Sequence, residues 1–449
     1  MSHHRALKGG GLALMAAVLT FACGGGGGTS GNGTSGGDKG EIKIGVEMPL
    51  SGTEGSQGKP ILNGVRFAVQ KAGGSIKGYK LTVADYDDAV NGVHDPQKGA
   101  QNVTAMAGDP KVLAFVGPLN SNVAKNEIPI ASDAHLGMIS PANTGICLTK
   151  DQPDSRFPFD AACGGLAAQL RKGNPNNYFR LVTSDDYQGP AMADYFLQIL
   201  KITKVAVGSD NQTYGKGIAD AFSAEFKAKG GQLVGTRFDY DQQNTNDFKT
   251  WLTGAKTAGA QGVYVGGVTS TKVCIVRAQM QGIFDATTPF GGGDGIVQDS
   301  ECVKAAGAMS TNVFSSIAAV DPTHVASAKA TIDAYKKAFP GANDYTAYSI
   351  VAADAAGIEI AAIGRAIDAN NGTLPTDPTK SREAVRSEIA KTSGYQGALG
   401  STTFDKNGDT SVKIVSIYEY TSSDPNAAND EPWKAQINYG DTSPTVQTS

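Results

Sequence analysis

The sequence predicts an α/β protein built as two doubly wound parallel-sheet lobes. Three observations carry this. From Glu41 onward short apolar strands alternate with amphipathic helices, the order that lays helices over both faces of a parallel sheet. Val112 to Val116 is apolar without a break, as a central strand buried on both faces requires. About 400 residues follow the N-terminal segment, too many for a single core.

Ile42, Ile44 and Val46 alternate as a first strand, and Ile61, Val65, Ala68, Val69 and Ala72 share one face of a helix at the 3.6 period. Leu81 to Ala84 is the next strand. After Val112 to Val116 comes a helix expected to break before Pro129, then a strand at Met138 to Ser140. A second unit opens near Phe179. Its strands are Lys204 to Val207, Leu233 onward and Gly262 to Val265. Its helices are Gly217 to Lys229, Asp247 to Ala258 and Thr271 to Gln281, the last stopped by Gly282. Gly73-Gly74 and Gly230-Gly231 end helices in the two units, a C-terminal stop that is also ordinary βαβ grammar. Long helices are expected over Pro322 to Phe339 and Tyr345 to Ala369, and final strands at Thr402 to Phe404 and Val412 to Tyr420. The polar stretch from Thr421 is expected to be loose.

Hydrophobic residues make up 40% and charged residues 18%, and no second long apolar run follows the N-terminal one, as in a soluble globular protein. A net charge of −4 with scattered signs supplies no basic patch, so nucleic acid is not an expected partner. The N-terminus says where the chain works. Arg5 and Lys8 precede the apolar stretch Leu12 to Ala22, which is too short to span a bilayer and stops at Cys23. Gly24 to Gly37 contains only Gly, Ser, Thr and Asn, which cannot build a core. Residues 1–23 therefore read as a secretory signal and 24–40 as a tether. A cysteine at that junction resembles a bacterial lipoprotein, in which Cys23 is lipidated and anchors the chain to the membrane. Thr20 stands where that pattern usually has Leu, and plain secretion is the alternative.

The four remaining cysteines belong in an oxidising compartment. Cys147 and Cys163 flank the polar loop Leu148 to Phe157, and Cys274 and Cys302 bracket a helix, a strand and a loop. Three pairings are possible; the most local, Cys147–Cys163 with Cys274–Cys302, is expected. Each closure is worth on the order of 3 kcal/mol in the chain-entropy model. With no CxxC and little histidine, no metal site is expected.

A set of loop motifs recurs in order: Pro49-Leu50-Ser51-Gly52, Gly117-Pro118-Leu119-Asn120-Ser121, Ile139-Ser140-Pro141-Ala142-Asn143-Thr144, Gln188-Gly189-Pro190 and Tyr214-Gly215-Lys216-Gly217. From Glu41 to Tyr420 the chain resembles the leucine/isoleucine/valine-binding proteins of ABC transporters, with the type I periplasmic-binding fold. That resemblance implies two lobes joined by three crossovers, with a ligand cleft between them. The expected division is 41–184 with 317–409 for lobe one, 185–316 with 410–440 for lobe two, and a loose tail at 441–449.

Ligands of open α/β sheets bind beyond the carboxyl ends of the strands, where the loops bearing Ser121 and Thr144 fall. Hydroxyls and the free N–H groups of a helix entry suit a carboxylate. In the resembled family the positions of Ser121 and Thr144 hold the ligand's α-carboxylate. Those of Ala142 and Asp185 bind through the main chain or line the site. Tyr214 matches an aromatic of the second lobe, and Asp294, in Gly291-Gly292-Gly293-Asp294-Gly295, matches an acid that meets the α-ammonium. Each has a plainer alternative: Ser121 and Thr144 as helix caps, Tyr214 as a packed loop aromatic, Asp294 as support for its turn. Tyr348 is expected in the core. Two positions where the family often carries aromatics hold Gln57 and Val268, which alters the side-chain pocket more than the zwitterion site.

No enzyme signature survives inspection. Tyr214-Gly215-Lys216-Gly217 lacks the upstream Gly and the Ser or Thr of a phosphate loop. Asp405-Lys406-Asn407-Gly408-Asp409 has its Gly too early for a calcium loop and no closing Glu. His94, His135 and His324 are far apart in sequence. The expected function is capture of a small amino acid, branched-chain or related, or a similar carboxylate. The captured ligand passes to an ABC permease outside the cytoplasm, with a monomeric protein and no cofactor. The alternative is a lipid-tethered sensing lobe for amides or small organic acids.

Overall fold

The structure is a computed structural model that describes residues 39–440 and 444–449. The expected signal, Cys23 and nearly all of the tether lie outside the described residues. β1 (Glu41–Met48) leads into α1 (Gly55–Lys71), whose Ile61, Val65, Ala68 and Val69 are buried as their period predicts. β2 (Ser75–Ile76) and β3 (Tyr79–Asp87) follow, then a hairpin of β4 (Ala89–Val90) and β5 (Val93–His94). α2 (Pro96–Gly108) starts where Asp95 accepts the Lys98 N–H at 2.7 Å and Pro96 fills the first turn, which needs no donor. β6 (Val112–Val116), α3 (Ser121–Asp133), β7 (Gly137–Ser140), α4 (Leu166–Arg171) and β8 (Tyr178–Arg180) complete the first sheet. Its order is β2-β3-β1-β6-β7-β8, parallel except for β2. β6 is buried along its whole length.

The chain then crosses over. α5 (Asp185–Asp194), β9 (Lys204–Ser209), α6 (Thr213–Ala228), β10 (Gln232–Leu233), β11 (Phe238–Asp239) and α7 (Lys249–Thr257) open the second lobe. β12 (Gly262–Gly266), α8 (Val273–Gln279), β13 (Phe290–Gly291), α9 (Ser300–Ala306) and β14 (Val313–Ile317) follow. The chain returns to the first lobe as α10 (Lys329–Ala338), α11 (Ala347–Ala369), α12 (Pro378–Ala390) and the hairpin β15 (Tyr395–Gly397) with β16 (Gly400–Thr402). α11 is apolar around most of its circumference because it is enclosed, packing on α1, α12 and the sheet. A third crossing leads to β17 (Ile414–Tyr420), β18 (Trp433–Asn438) and β19 (Thr445–Thr448). The second sheet runs β10-β9-β12-β13-β14-β17-β18-β19, with β11 beside β9. Among the described residues, no helix is long and apolar enough to cross a membrane.

Several expectations need correction. α3 runs through Pro129 without breaking, because Val123, Ala124, Ile128 and Ala131 hold one continuous buried face. The helix expected from Pro322 begins only at Lys329, after two single 3₁₀ turns, the first capped by Asp321. The strand expected at Thr402 to Phe404 is displaced to Gly400–Thr402 and pairs within a hairpin outside both large sheets. The stretch after Thr421 is not loose: Ala435 and Ile437 are buried as β18 joins β17, and Thr445–Thr448 of the expected tail pairs with β18. These last pairings are antiparallel, as is β14 with β17, so the second sheet is mixed at one end. Cys147 pairs with Cys163 and Cys274 with Cys302, the second bridge tying α8 to α9.

Beneath β1 and α3 lie three buried acids. Burial pushes Glu127 up to about 8, and burial with the repulsion of Glu127 raises Glu47 well above the usual range. Asp88 is raised likewise, by burial and by Glu47. A carboxyl raised in the fold favours folding while protonated. Its contribution is complete below the unfolded pKa near 4.5 and disappears as pH rises through about 8. The midpoint of thermal unfolding is therefore expected to fall between pH 5 and pH 9, and Glu127→Gln to flatten that fall and stabilise the protein at the alkaline end. An unchanged profile in the variant would count against the assignment.

Candidate functional site

The carboxyl ends of the parallel strands in both sheets face one another across the crossovers, and a small cavity of about 20 Å³ lies between them. Its lining includes Gln57, Asn120, Ser121, Ala142, Thr144, Tyr214, Val268, Asp294 and Tyr348. Two glycines shape the walls by absence. Gly117, at φ +148°, carries β6 into the Ser121 loop where a side chain would strike the Glu47 carbonyl. At Gly293 a side chain would occupy the position of the Tyr214 hydroxyl.

Asp294 is the electrostatic centre. Tyr214 donates to its Oδ1 at 2.6 Å, Gln188 donates to the same oxygen at 3.1 Å, and Tyr348 donates to Oδ2 at 2.7 Å. Tyr214 and Gln188 belong to the second lobe and Tyr348 to α11 of the first, so one carboxyl is gripped from both. Burial raises its pKa, and these three donors oppose the rise. Gln188 also donates to Asp185 Oδ1 at 3.2 Å and accepts from Ser316 at 2.9 Å, which orients its amide. Burial and the neighbouring Asp294 push Asp185 up to about 8. Among the described residues no lysine or arginine lines the cavity. A buried carboxyl on the wall of a cavity without a basic side chain favours a positively charged group beside it.

The opposite wall is neutral and rich in hydrogen-bonding groups. α3 starts at Ser121, so Asn120 and not Ser121 holds the cap position, and the Ser121 hydroxyl donates to Asn143 Oδ1 at 3.1 Å. Thr144 Oγ1 is buried with no hydrogen bond of normal geometry, although it lies near enough to Asp185 to favour the charged carboxyl. A buried hydroxyl in that state is a vacant donor beside a cavity. The loop is held from behind by Arg180, which donates to the carbonyls of Gly145 at 2.8 Å and Asn143 at 3.5 Å, to Thr149 Oγ1 at 2.7 Å, and to Asp409 at 2.7 Å.

Five of the six expected positions, Ser121, Ala142, Thr144, Tyr214 and Asp294, thus meet in one cavity. Asp185 stands behind Thr144, its N–H on the Thr144 carbonyl at 3.0 Å, and lines an adjoining groove instead. Tyr348 is a correction: its ring is buried, but its hydroxyl reaches Asp294 and faces the cavity.

The family model described as "Periplasmic binding protein" matches residues 41–424. The chain belongs to the periplasmic binding protein family. The family is extracytoplasmic. Leu/Ile/Val-binding protein homolog 3 of Brucella melitensis biotype 1 is 30% identical to this periplasmic binding protein, covering 85% of it and 91% of the relative. A leucine-binding protein of Thermotoga maritima MSB8 has a TM-score of 0.70 at 22% identity, covering 89% of this chain and 99% of its own. A solute-binding protein of an ABC transporter from Rhodopseudomonas palustris HaA2, solved with p-hydroxybenzoic acid, has a TM-score of 0.68 at 17% identity, covering 91% and 98%. Both show the type I fold.

In this periplasmic binding protein the residues that sequence reasoning missed are those acting through others. Gln188 carries a signal in hindsight, standing three residues after Asp185 and hence on the same helical face. Asn120 precedes a residue already singled out. Gln57 is in the first turns of α1 rather than in a loop, yet it does face the cavity, as does Val268.

Proposed function

We propose that this protein is the solute-binding component of an ABC importer, capturing a small amino acid, branched-chain or related, or a similar carboxylate. The lobes are 41–184 with 317–409 and 185–316 with 410–440, and they close over the ligand. The observation that carries this reading is the Asp294 carboxyl, gripped by donors from both lobes and facing a wall of neutral donors in a cavity without basic side chains. An α-ammonium fits the first feature and an α-carboxylate the second. Ser121, Thr144 and the N–H groups at the start of α3 take the carboxylate, Ala142 lines the wall, Tyr214 and Asp294 meet the ammonium, and Asp185 supports that end electrostatically. The names of the relatives agree in chemistry, since leucine, isoleucine, valine and p-hydroxybenzoate all carry a carboxylate.

A ligand that contacts both lobes favours the closed form by its differential affinity, and the closed form is what a permease recognises. Cys23, lipidated after removal of the signal, anchors the protein to the membrane. Thermal-shift measurements against the amino acids and small aromatic acids test the reading. A ligand at a hundred times its Kd stabilises the fold by about 2.7 kcal/mol, and no shift with any carboxylate overturns it.

One substitution probes the carboxylate wall. Thr144→Ala removes a hydroxyl with no hydrogen bond of normal geometry, so the unliganded fold is expected to lose little stability. A hydrogen bond to a charged group is worth about 1.5–3 kcal/mol, so affinity for L-leucine is expected to fall roughly 10- to 150-fold by titration calorimetry. Unchanged affinity removes Thr144 from the site.

A further inference from the structure

Glu54 stands at the start of α1 in the cap position but does not cap its own helix. Its carboxylate is instead buried and surrounded by donors from elsewhere. His94 approaches through Nδ1 at 2.8 Å and its own N–H at 3.1 Å, and Asn120 donates to Oε1 at 2.6 Å. These three belong to the first lobe. The remaining donor does not: Ser270, on the loop after β12, reaches Glu54 Oε2 at 2.8 Å across the cleft. Nearby cross-cleft bonds join Ser56 to Asp299 at 2.7 Å and Asn122 to Gln212 at 3.1 Å, but only the Glu54 contact carries a buried ion pair.

We infer that Glu54, His94 and Ser270 form a latch that holds the lobes closed, and that the charge on His94 sets its strength. Glu54 acts as a positioning residue, touching no ligand and linked to the cavity wall through Asn120. The groups facing the pair are Asp210 across the cleft, held by Thr271 at 2.7 Å, and Asp95 and Asp88 on the first-lobe side. With His94 protonated, one cation lies among these acids and offsets Glu54 and Asp210. Once it is neutral, Glu54 and Asp210 face each other across the interface uncompensated, which favours opening.

The pKa directions agree with that geometry. Burial lowers His94, but Glu54 outweighs it and the net shift is upward; burial raises Glu54, but His94 outweighs it and the net shift is downward. Burial pushes Asp210 up to about 6. Raising pH then removes the positive charge from His94, and that change weakens the latch.

The latch rests on the reading of the protein as a closing two-lobe binder, but not on which ligand it takes, so the test needs none. Small-angle scattering of the purified, unliganded full-length chain is expected to give a smaller radius of gyration at about pH 5.5 than at about pH 9. Ser270→Ala, which leaves the first lobe intact, is expected to enlarge the radius of gyration at about pH 5.5 and so to shrink the difference. His94→Gln keeps a donor to Glu54 but has no proton to lose, so it removes the part of the change that His94 carries. Titration with L-leucine adds a second readout, in which Ser270→Ala lowers affinity about tenfold. Failure of L-leucine to bind bears on the amino-acid reading alone. Equal radii of gyration for the wild type at both pH values, or wild-type radii at both pH values in Ser270→Ala, overturn the latch.

Discussion

Asp294→Asn is expected to lower affinity for L-leucine by at least about 30-fold, while a carboxylate ligand without an ammonium, such as p-hydroxybenzoate, loses far less. Asparagine keeps an oxygen where Tyr214 and Gln188 donate, so the local packing survives. What changes is the charge. Removing one member of a buried, hydrogen-bonded charge pair costs about 2–5 kcal/mol, and a ligand ammonium enclosed here has no other anion of comparable geometry. The amide also turns a donor toward the Tyr348 hydroxyl, which now donates to Oδ2. Calorimetric titration of both ligand types at matched thermal stability decides the matter. Equal losses for the two mean that Asp294 shapes the cavity without reading the ammonium.

The second large effect is on the fold. Arg180 is completely buried between the cleft loop and the third crossover, paired with Asp409 and bonded to two carbonyls and a hydroxyl. Burial alone pushes Asp409 up, but Arg180 outweighs it and holds the carboxyl down at about 2. Arg180→Met leaves that carboxylate buried and unpaired, and breaking such a pair costs about 3–5 kcal/mol. The native pair's contribution is present above the unfolded Asp value near 3.8 and disappears as pH falls through about 2. In the variant Asp409 takes up a proton more readily, so its deficit is largest near neutrality and shrinks in acid. The double variant Arg180→Met with Asp409→Leu is expected to recover much of the lost stability. A single variant that melts like the wild type rules out this strap.

Much of this was legible in the residues. The unbroken apolar run Val112 to Val116 marks a central strand because only a parallel strand covered twice needs no polar face. Ser121 and Thr144 were singled out because they fall on strand-end loops, where open sheets bind ligands, and Asp294 only through the resemblance to the leucine/isoleucine/valine-binding proteins; all three line the cavity. What stayed hidden depends on distances that local sequence does not encode. Tyr348 sits in an apolar helix whose neighbours are core, and only the placement of α11 beneath the crossovers turns its hydroxyl toward Asp294. Glu54 looks like one more acid at a helix start until Ser270, far along the chain, is brought against it. Pro129 argued for a break that tertiary packing overrode, and the polar run after Thr421 concealed a strand whose alternation is short and begins only at Trp433.

The return of α11 to pack on α1 has a consequence in time. α1 is among the first elements to leave a ribosome, yet the helix that covers it follows roughly three hundred residues later, after every strand of the second lobe up to β14. The first lobe cannot complete its core until α11 has been made, and its apolar sheet lacks that cover through the synthesis of most of the second lobe. Contacts so distant in sequence close slowly because the loop entropy is lost before they form. For a family that works outside the cytoplasm, that delay keeps the first lobe unfinished until most of the polypeptide has been made.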